Sequence, residues 1–311
     1  MQPIRHFINI LDYDRPTLAG LIEKSIADKK RLAAGPLDPC LARRSVAIYM
    51  EKPSLRTRVS FELAVVQLGG YPVILNHAEI GLGAREPVKD VARVISRMCD
   101  GFVARTFSHE ALEEFARYAS VPVVNALTDY SHPCQAMADL LTVRERFGSL
   151  QGLKLAYVGD GNNVARSLAA LCARLGVAFA IAAPQGFQLE DEFVRSLSQR
   201  APNAAFEQSD DPRRAADGAH VLYTDTWVSM GQEKDRERKV QAFKGFQLTA
   251  DLLRSAADNA VVMHCLPAYR GMEITDELME SPQSVVFDQA ENRLHFQRTL
   301  LAALIGGEQI D

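Results

Sequence analysis

Short apolar segments rich in β-branched residues alternate along the chain with longer amphipathic segments. The apolar segments predict nine strands: Ser45–Met50, Pro72–Leu75, Gly101–Ala104, Val121–Val124, Lys154–Val158, Ala178–Ala182, Ala219–Thr224, Ala260–His264 and Ser284–Phe287. Continuous apolar runs of this kind are typical of strands that are buried on both faces of a parallel sheet. Their alternation with helical segments indicates βα units. We therefore predict the α/β class, with doubly wound parallel sheets.

The length of the chain favours two domains. The chain has 311 residues, whereas single domains are mostly about 100 to 200 residues long. The amphipathic segment Asp139–Phe147 predicts a helix that closes the first half. We expect a first domain at 1–148 and a second at 149–290, with a final helical segment at 291–311 that packs back on the first domain.

Composition and charge argue against several classes of protein. Hydrophobic residues make up 47% and charged residues 24%, which supplies a sizeable core and argues against disorder. The net charge of -4 argues against a dedicated nucleic-acid binder, which carries a basic excess. No apolar stretch approaches the length of a membrane span, and the N-terminus lacks the apolar core of a signal peptide. The five cysteines lack CxxC spacing and are odd in number, so we expect reduced thiols in the cytoplasm.

Polar side chains follow several of the predicted strands. These are Ser54–Arg58, Arg105, His132, Asn162 with Asn163, Asp225 and Cys265. In open parallel sheets, ligands bind outside the carboxyl ends of the strands. We therefore predict that these groups line one cleft between the two domains.

The polar groups of the first half suit an anionic ligand. Ser54 is a good N-cap, and the helix that follows it presents free N–H groups, with Arg56 and Arg58 as further donors for phosphate oxygens. An ordinary capped helix with solvated arginines is the alternative. Arg105 follows an apolar strand, where a charge requires an anionic partner. The segment His132–Gln135 brings an imidazole and an amide that suit a carbonyl oxygen, unless both are structural.

The polar groups of the second half are compatible with several functions. The segment Gly159–Asn163 partly matches the dinucleotide-binding pattern G-x-G-x-x-G but lacks the third glycine, so it is weak support for NAD. Asp225 suits a cationic amine, and Ser229 with the backbone near Met230 suits the head group of an amino acid. A surface loop anchored by one tryptophan is the alternative. Cys265 is a nucleophile, a proton acceptor or simply a buried thiol.

Together these segments resemble the aspartate/ornithine carbamoyltransferase family, in the same order and over essentially the whole chain. The matching motifs are Ser54-Leu-Arg-Thr-Arg58, His132-Pro-Cys-Gln135, Gly159-Asp-Gly-Asn-Asn163, Asp225–Gly231, His264-Cys-Leu-Pro267 and Asp288-Gln-Ala-Glu-Asn-Arg293. Two positions depart from the family pattern. Leu55 replaces the usual threonine, and Gly81 stands where the family often has a glutamine or histidine that reaches carbamoyl phosphate across a subunit interface.

The resemblance implies transfer of the carbamoyl group of carbamoyl phosphate to the side-chain amine of ornithine, in arginine biosynthesis. It implies carbamoyl-phosphate contacts from Ser54, Leu55, Arg56, Thr57, Arg105, His132, Gln135 and Arg293. It implies ornithine contacts from Asn163, Asp225, Ser229, Met230, Cys265 and Leu266. Of these, the catalytic residues are expected to be Arg105, His132, Asp225 and Cys265. The family needs no metal or organic cofactor and forms homotrimers or multiples of trimers.

Other functions stay open at this level. Within the family, the acceptor could be aspartate, putrescine, lysine or an N-acylated ornithine, although the segments Ser229–Gly231 and His264–Pro267 favour free ornithine. An NAD-dependent dehydrogenase is the alternative from another enzyme class. An inactive homologue that serves as a structural subunit is the alternative outside enzymes.

Overall fold

The chain folds into two compact units, each built on one parallel β-sheet. The structure is a computed structural model and describes residues 5–229, 231 and 233–310. Unit 1 comprises Met1–Leu141 with Glu291–Asp311, and unit 2 comprises Thr142–Ala290. The two parallel sheets confirm the predicted α/β class. The bounds 1–148 and 149–290 for the functional domains stay a prediction.

Unit 1 holds a four-stranded sheet with the order β2-β1-β3-β4. Its strands are β1 (Ser45–Met50), β2 (Tyr71–Asn76), β3 (Gly101–Arg105) and β4 (Val123–Leu127). The helices that begin in the first stretch of unit 1 are α1 (Arg15–Ala34), α2 (Leu55–Gln67), α3 (His77–Ile80), α4 (Val88–Met98), α5 (His109–Tyr118) and α6 (Pro133–Phe147), and α6 continues into unit 2. All four strands are parallel.

Unit 2 holds a five-stranded parallel sheet with the order β7-β6-β5-β8-β9. Its strands are β5 (Lys154–Val158), β6 (Ala178–Ala182), β7 (Phe206–Ser209), β8 (Val221–Thr224) and β9 (Val261–His264). Its helices are α7 (Asn163–Leu175), α8 (Asp191–Arg200), α9 (Pro212–Ala216), α10 (Arg236–Ala242), α11 (Ala250–Leu253) and α12 (Asp276–Met279). The last helix of the chain is α13 (Val286–Leu304), which continues into the unit 1 segment.

The strand order reverses once in each sheet, between β1 and β3 in unit 1 and between β5 and β8 in unit 2. Loops after two such neighbouring strands run to opposite sides and leave a crevice at the carboxyl ends. In unit 1, Met50 pairs with Arg105, so the strands β1 and β3 end at the same level. This register places the residues that follow both strands at one edge of the sheet.

Aromatic and aliphatic side chains fill a separate core in each unit. In unit 1, Phe102 of β3 and Phe115 of α5 stack with their ring centroids 3.8 Å apart, and both are fully buried. In unit 2, Trp227 stacks on Phe243 at 5.6 Å. Each large apolar side chain buried in this way contributes about 1.5–3 kcal/mol relative to exposure. The cores hold the sheets rigid while the loops at the strand ends stay polar.

Local sequence explains why the two helices nearest the candidate site begin where they do. Ser54 caps α2, because its hydroxyl accepts the N–H of Thr57 at 3.3 Å. Asn162 caps α7, because its side-chain oxygen accepts the N–H groups of Val164 and Ala165 at 2.9 and 3.1 Å. Such caps satisfy donors that have no partner inside the helix.

Most of the predicted strands are confirmed, and two segments differ. The predicted strand Ser284–Phe287 is wrong, because Ser284 makes one isolated bridge to Val262 and α13 begins at Val286. The β-branched Val285 and Val286 favour a strand by residue type, but Asp288 in the first turn favours the start of a helix. The strand β7 was missed because this half-buried edge strand carries no apolar run. No helix among the described residues has both the length and the apolar character that a membrane crossing requires.

We expect His6 to make the stability of unit 1 depend on pH. Burial, helped by the charge of Arg5, lowers the pKa of His6 to about 4. The ring nitrogen Nδ1 accepts the N–H of Val123 at 3.1 Å, which a protonated nitrogen cannot do. The unfolded chain takes up this proton below about pH 6.5. The stabilising contribution is therefore complete above that pH and is lost as the pH falls towards the folded-state value.

The variant His6→Asn tests this expectation, since asparagine offers an acceptor oxygen and does not titrate. Its urea unfolding midpoint should decline less steeply than that of the wild type as the pH falls from neutral to acidic. The same slope in both proteins would show that His6 does not carry this dependence.

Candidate active site

A cluster of hydroxyl and guanidinium groups centres on Thr57 in unit 1. The Thr57 hydroxyl accepts from Nη2 of Arg293 at 2.9 Å and from Nη1 of Arg105 at 3.4 Å. Ser54 Oγ lies 3.1 Å from the same oxygen. The four residues come from the start of α2, the end of β3 and the middle of α13. The last helix begins at Val286, five residues before the predicted segment 291–311, so Arg293 reaches Thr57 from within the helix and not from its start.

His132 lies beside these guanidinium groups and is almost fully buried. Burial, followed by the charges of Arg293, Arg105 and Lys52, holds the pKa of His132 well below its usual range. The imidazole is therefore neutral at physiological pH. A neutral imidazole donates one hydrogen bond and accepts another, which suits it to polarise a ligand oxygen without adding charge.

Gln135, in α6, offers a buried acceptor. Its Nε2 donates to Oδ1 of Asp139 at 2.8 Å, which fixes the orientation of the amide. The side-chain oxygen Oε1 is buried and has no hydrogen-bond partner within the described residues. A buried acceptor without a partner is unfavourable by about 1–3 kcal/mol, so a ligand that donates to Oε1 would recover that free energy.

Three further residues of unit 1 lie just after β1, before or at the start of α2. Arg56 is half-buried in the first turn of α2, and Leu55 at the start of that helix is 74% exposed. Sequence reasoning overlooked Lys52, whose buried ammonium pairs with Asp129 and lies 3.9 Å from the ring centroid of Phe107. A signal for it existed, since Lys52 stands two residues before the capping serine and two residues after the end of β1.

Unit 2 brings Asp225, Cys265 and Asn162 together at the carboxyl ends of β8, β9 and β5. Oδ1 of Asp225 accepts from Sγ of Cys265 at 3.0 Å and from the N–H of Thr226 at 2.7 Å. Oδ2 accepts from the side-chain amide of Asn162 at 2.8 Å. The carboxylate is buried and held from both sides. Unit 2 thus presents an acidic group, whereas unit 1 presents a basic cluster.

The other predicted residues of unit 2 lie around this group. Asn163 is the first residue of α7 and, like Ser229, is half-buried. Leu266 follows Cys265 and has a positive φ of 58°, a left-handed conformation that non-glycine residues rarely adopt. Met230 lies outside the described residues. The resemblance assigned Asn163 to ornithine and gave no role to Asn162, which was named only among the polar groups after β5 and which makes the contact to Asp225.

Asp225, His264 and Cys265 are the only three potential metal ligands that cluster in the described part of the chain, with their ligand atoms within 4.8 Å of one another. His264 has both ring nitrogens engaged. Nδ1 accepts the N–H of Leu266 at 2.9 Å, and Nε2 lies 3.1 Å from Oε1 of the buried Glu273. Neither ring nitrogen of His264 is therefore available to a metal ion in this arrangement. The thiol of Cys265 and the carboxylate of Asp225 form a hydrogen bond with each other.

Comparison with protein families decides which kind of site this is. Residues 5–145 match the model of the carbamoyl-P binding domain of aspartate/ornithine carbamoyltransferase. Residues 151–304 match the model of the Asp/Orn binding domain of the same enzymes. The chain belongs to the aspartate/ornithine carbamoyltransferase family. The family resemblance read from the motifs is thereby confirmed, and with it the assignment of the chain to the carbamoyltransferase enzymes.

Individual members of the carbamoyltransferase family are similar over nearly their full length. The chain is 51% identical to the ornithine carbamoyltransferase of Acidothermus cellulolyticus over 305 residues, which is 97% of each protein. The structure of the Pyrococcus furiosus ornithine carbamoyltransferase superposes with a TM-score of 0.94 at 42% identity, covering 99% of both chains. The Gloeobacter violaceus enzyme superposes at 0.87 and 45% identity, covering 98% of this chain and all of that one.

We expect Asn162 to stabilise unit 2 through two separate contacts. Asn162→Ala removes both the cap of α7 and the donor to Asp225, and it should lower the free energy of unfolding by about 1–3 kcal/mol. Asn162→Ser keeps a capping oxygen and loses the amide donor, so its loss should be smaller. Urea denaturation measures both variants. Equal losses in the two variants would show that the cap contributes nothing.

Proposed function

We propose that the chain transfers the carbamoyl group of carbamoyl phosphate to the δ-amine of L-ornithine, giving L-citrulline and phosphate, in arginine biosynthesis. The proposal agrees with the names of the relatives and with the family. The observation that carries it is the cluster in unit 1, where two guanidinium groups converge on Thr57 beside a neutral, buried histidine. This cluster suits a ligand with both an anionic group and a carbonyl.

The leaving group accounts for the positive charge of unit 1. Phosphate departs as a dianion, and guanidinium groups and helix N–H groups are the preferred protein donors to such oxygens. We assign Ser54, Leu55 through its backbone N–H, Arg56 and Arg105 to the phosphate. All lie at the start of α2 or at the end of the neighbouring strand β3.

The carbamoyl group accounts for the neutral donors and acceptors of unit 1. Attack by an amine turns the carbonyl oxygen into an oxyanion, and we assign Thr57, Arg105 and His132 to that oxygen. Each preorganised donor of this kind is worth about 3–4 kcal/mol in the transition state. The carbamoyl nitrogen carries hydrogens, which suit the free Oε1 of Gln135. Arg293 supports the group through Thr57.

The amine acceptor accounts for the acidic group of unit 2. An alkyl amine has a pKa of about 10.4, so it arrives protonated and must lose a proton before it attacks. We assign Asp225 and Cys265 to the amine side. Asn163, Ser229 and Met230 are assigned to the α-carboxylate and α-amino groups, and Leu266 to the δ-amine end. Holding both substrates in place supplies much of the remaining acceleration.

A nicotinamide dehydrogenase is disfavoured by the cap of α7. A dinucleotide places its pyrophosphate on the free N–H groups at such a helix start. Here the N–H groups of Val164 and Ala165 already donate to Asn162. The side chain of Asn162 would have to leave before a pyrophosphate could bind.

We further propose that the protein works in the cytoplasm as a homotrimer or a multiple of trimers. An exposed apolar stripe runs along α2 and supports self-association: Leu55 at 74%, Val59 at 44%, Leu63 at 42% and Val66 at 54% exposure. Spacings of three and four residues place these side chains on one helix face. Light scattering should give a mass of three chains or a multiple. A monomer at micromolar concentration would contradict the proposal.

Steady-state formation of a ureido product tests the function. The purified protein is given carbamoyl phosphate with L-ornithine, L-aspartate, putrescine, L-lysine or N-acetyl-L-ornithine. We expect kcat/KM for ornithine to exceed that for every other acceptor by about a hundredfold or more, because unmet polar groups and misplaced charges are strongly rejected. Comparable turnover of another acceptor would reassign the substrate. Absence of turnover with all five would leave the inactive homologue as the better reading.

Arg56→Ala adds a test of the phosphate assignment in the same assay. Loss of this guanidinium should lower kcat/KM by about a thousandfold or more, since one preorganised charged donor is removed. Arg58→Ala is the matched control, because Arg58 lies in the same helix but points to solvent and pairs with Glu62 at 2.7 Å. Near-normal turnover of Arg56→Ala would exclude Arg56 from the site.

A further inference from the structure

A buried ion pair in unit 2 lies outside the substrate contacts proposed above. Nζ of Lys239 in α10 donates to Oδ2 of Asp160 at 2.5 Å, and their side chains are only 6% and 11% exposed. Removing two charges from water has a desolvation penalty that their attraction only partly offsets, so stability alone is a weak reason for such a pair. We therefore asked which parts of unit 2 the pair connects.

Asp160 belongs to the tightly packed loop between β5 and α7. Its carbonyl accepts the N–H of Asn162 at 2.7 Å, and the side chain of Asn162 binds Asp225. A Cβ atom on Gly161 would lie 2.6 Å from the backbone of Gln188 and Leu189, so the loop packs closely on this segment and only glycine fits at this position. Asp160 is thus connected through Asn162 to the acidic group of the site.

Lys239 belongs to the helix that follows the segment starting at Asp225. At the front of that segment, Trp227 is buried and stacks on Phe243, which directly follows α10. After the end of that segment, Lys239 binds Asp160. The described chain therefore has one fixed contact before the candidate head-group residue Ser229, at Trp227, and one after it, at Lys239.

The charges around Asp160 agree with this arrangement. Burial raises the pKa of Asp160, Lys239 opposes that rise, and the nearby charge of Asp225 adds to it. Without the ammonium group, the repulsion between the carboxylates of Asp160 and Asp225 would no longer be offset by the cation bound to Asp160. Lys239 therefore also limits repulsion on Asp225.

We propose that Lys239 is a positioning residue for the amino-acid substrate. Through Asp160 it ties the segment that contains Ser229 to the loop that carries Asn162 and Asn163, so that the two sides of the amino-acid site keep a fixed separation. The inference rests on the proposed function, because it assigns the substrate held there as ornithine. It adds a residue that touches neither substrate.

The two KM values of the reaction test the inference. Lys239→Met should raise KM for ornithine by about tenfold or more, the ratio that corresponds to one charged hydrogen bond, and leave KM for carbamoyl phosphate within about twofold. Since that variant leaves Asp160 unpaired, the double variant Asp160→Asn/Lys239→Met is measured as well. It contains no unpaired buried charge and should show the same selective rise in KM for ornithine.

Two controls sharpen the result. Lys239→Arg keeps a cation for Asp160, and its KM for ornithine should stay within about threefold of wild type. Arg238→Met changes the neighbouring exposed cation of the same helix, and it should leave both KM values unchanged. A double variant with wild-type KM for ornithine overturns the inference, as do equal rises in both KM values. Wild-type protein that forms no citrulline would instead overturn the proposed function itself.

Discussion

Parallel strands send every following loop to the same edge of a sheet, and the rest of this structure depends on that constraint. Where the strand order reverses, the two neighbouring loops diverge and their polar groups gain room for a ligand. Unit 1 uses the reversal between β1 and β3 for its hydroxyl and guanidinium cluster. Unit 2 uses the reversal between β5 and β8 for Asn162 and Asp225. The same geometric rule therefore positions two chemically opposite sets of side chains.

The two sets share a principle of construction. In each, a group that faces the proposed chemistry is held by a polar neighbour that is not expected to touch the substrate. Gln135 is oriented by Asp139, and Asp225 is oriented by Asn162. Preorganisation of this kind is what makes a polar site effective, since little reorganisation is then needed as charge develops. The arrangement also explains why buried polar residues are frequent at the strand ends while the cores are apolar.

Electrostatics separates the roles of the two units. Burial and three cations keep His132 neutral, so unit 1 offers guanidinium charge and neutral hydrogen bonds side by side. Unit 2 offers a carboxylate next to a thiol. A carbamoyl transfer needs both, because the leaving group is anionic and the attacking amine arrives as a cation.

Sequence by itself determined the α/β class, most strands and the family, because apolar runs and ordered motifs are local properties of the chain. It also picked out Thr57, Arg105, Asp225 and Cys265. Tertiary structure alone decided which donor meets which acceptor: Arg293 reaching Thr57 from the middle of α13, Asn162 rather than Asn163 contacting Asp225, and Lys239 pairing with Asp160. These partners lie far apart in the chain or differ by a single position, and only the packed fold fixes such distances and directions.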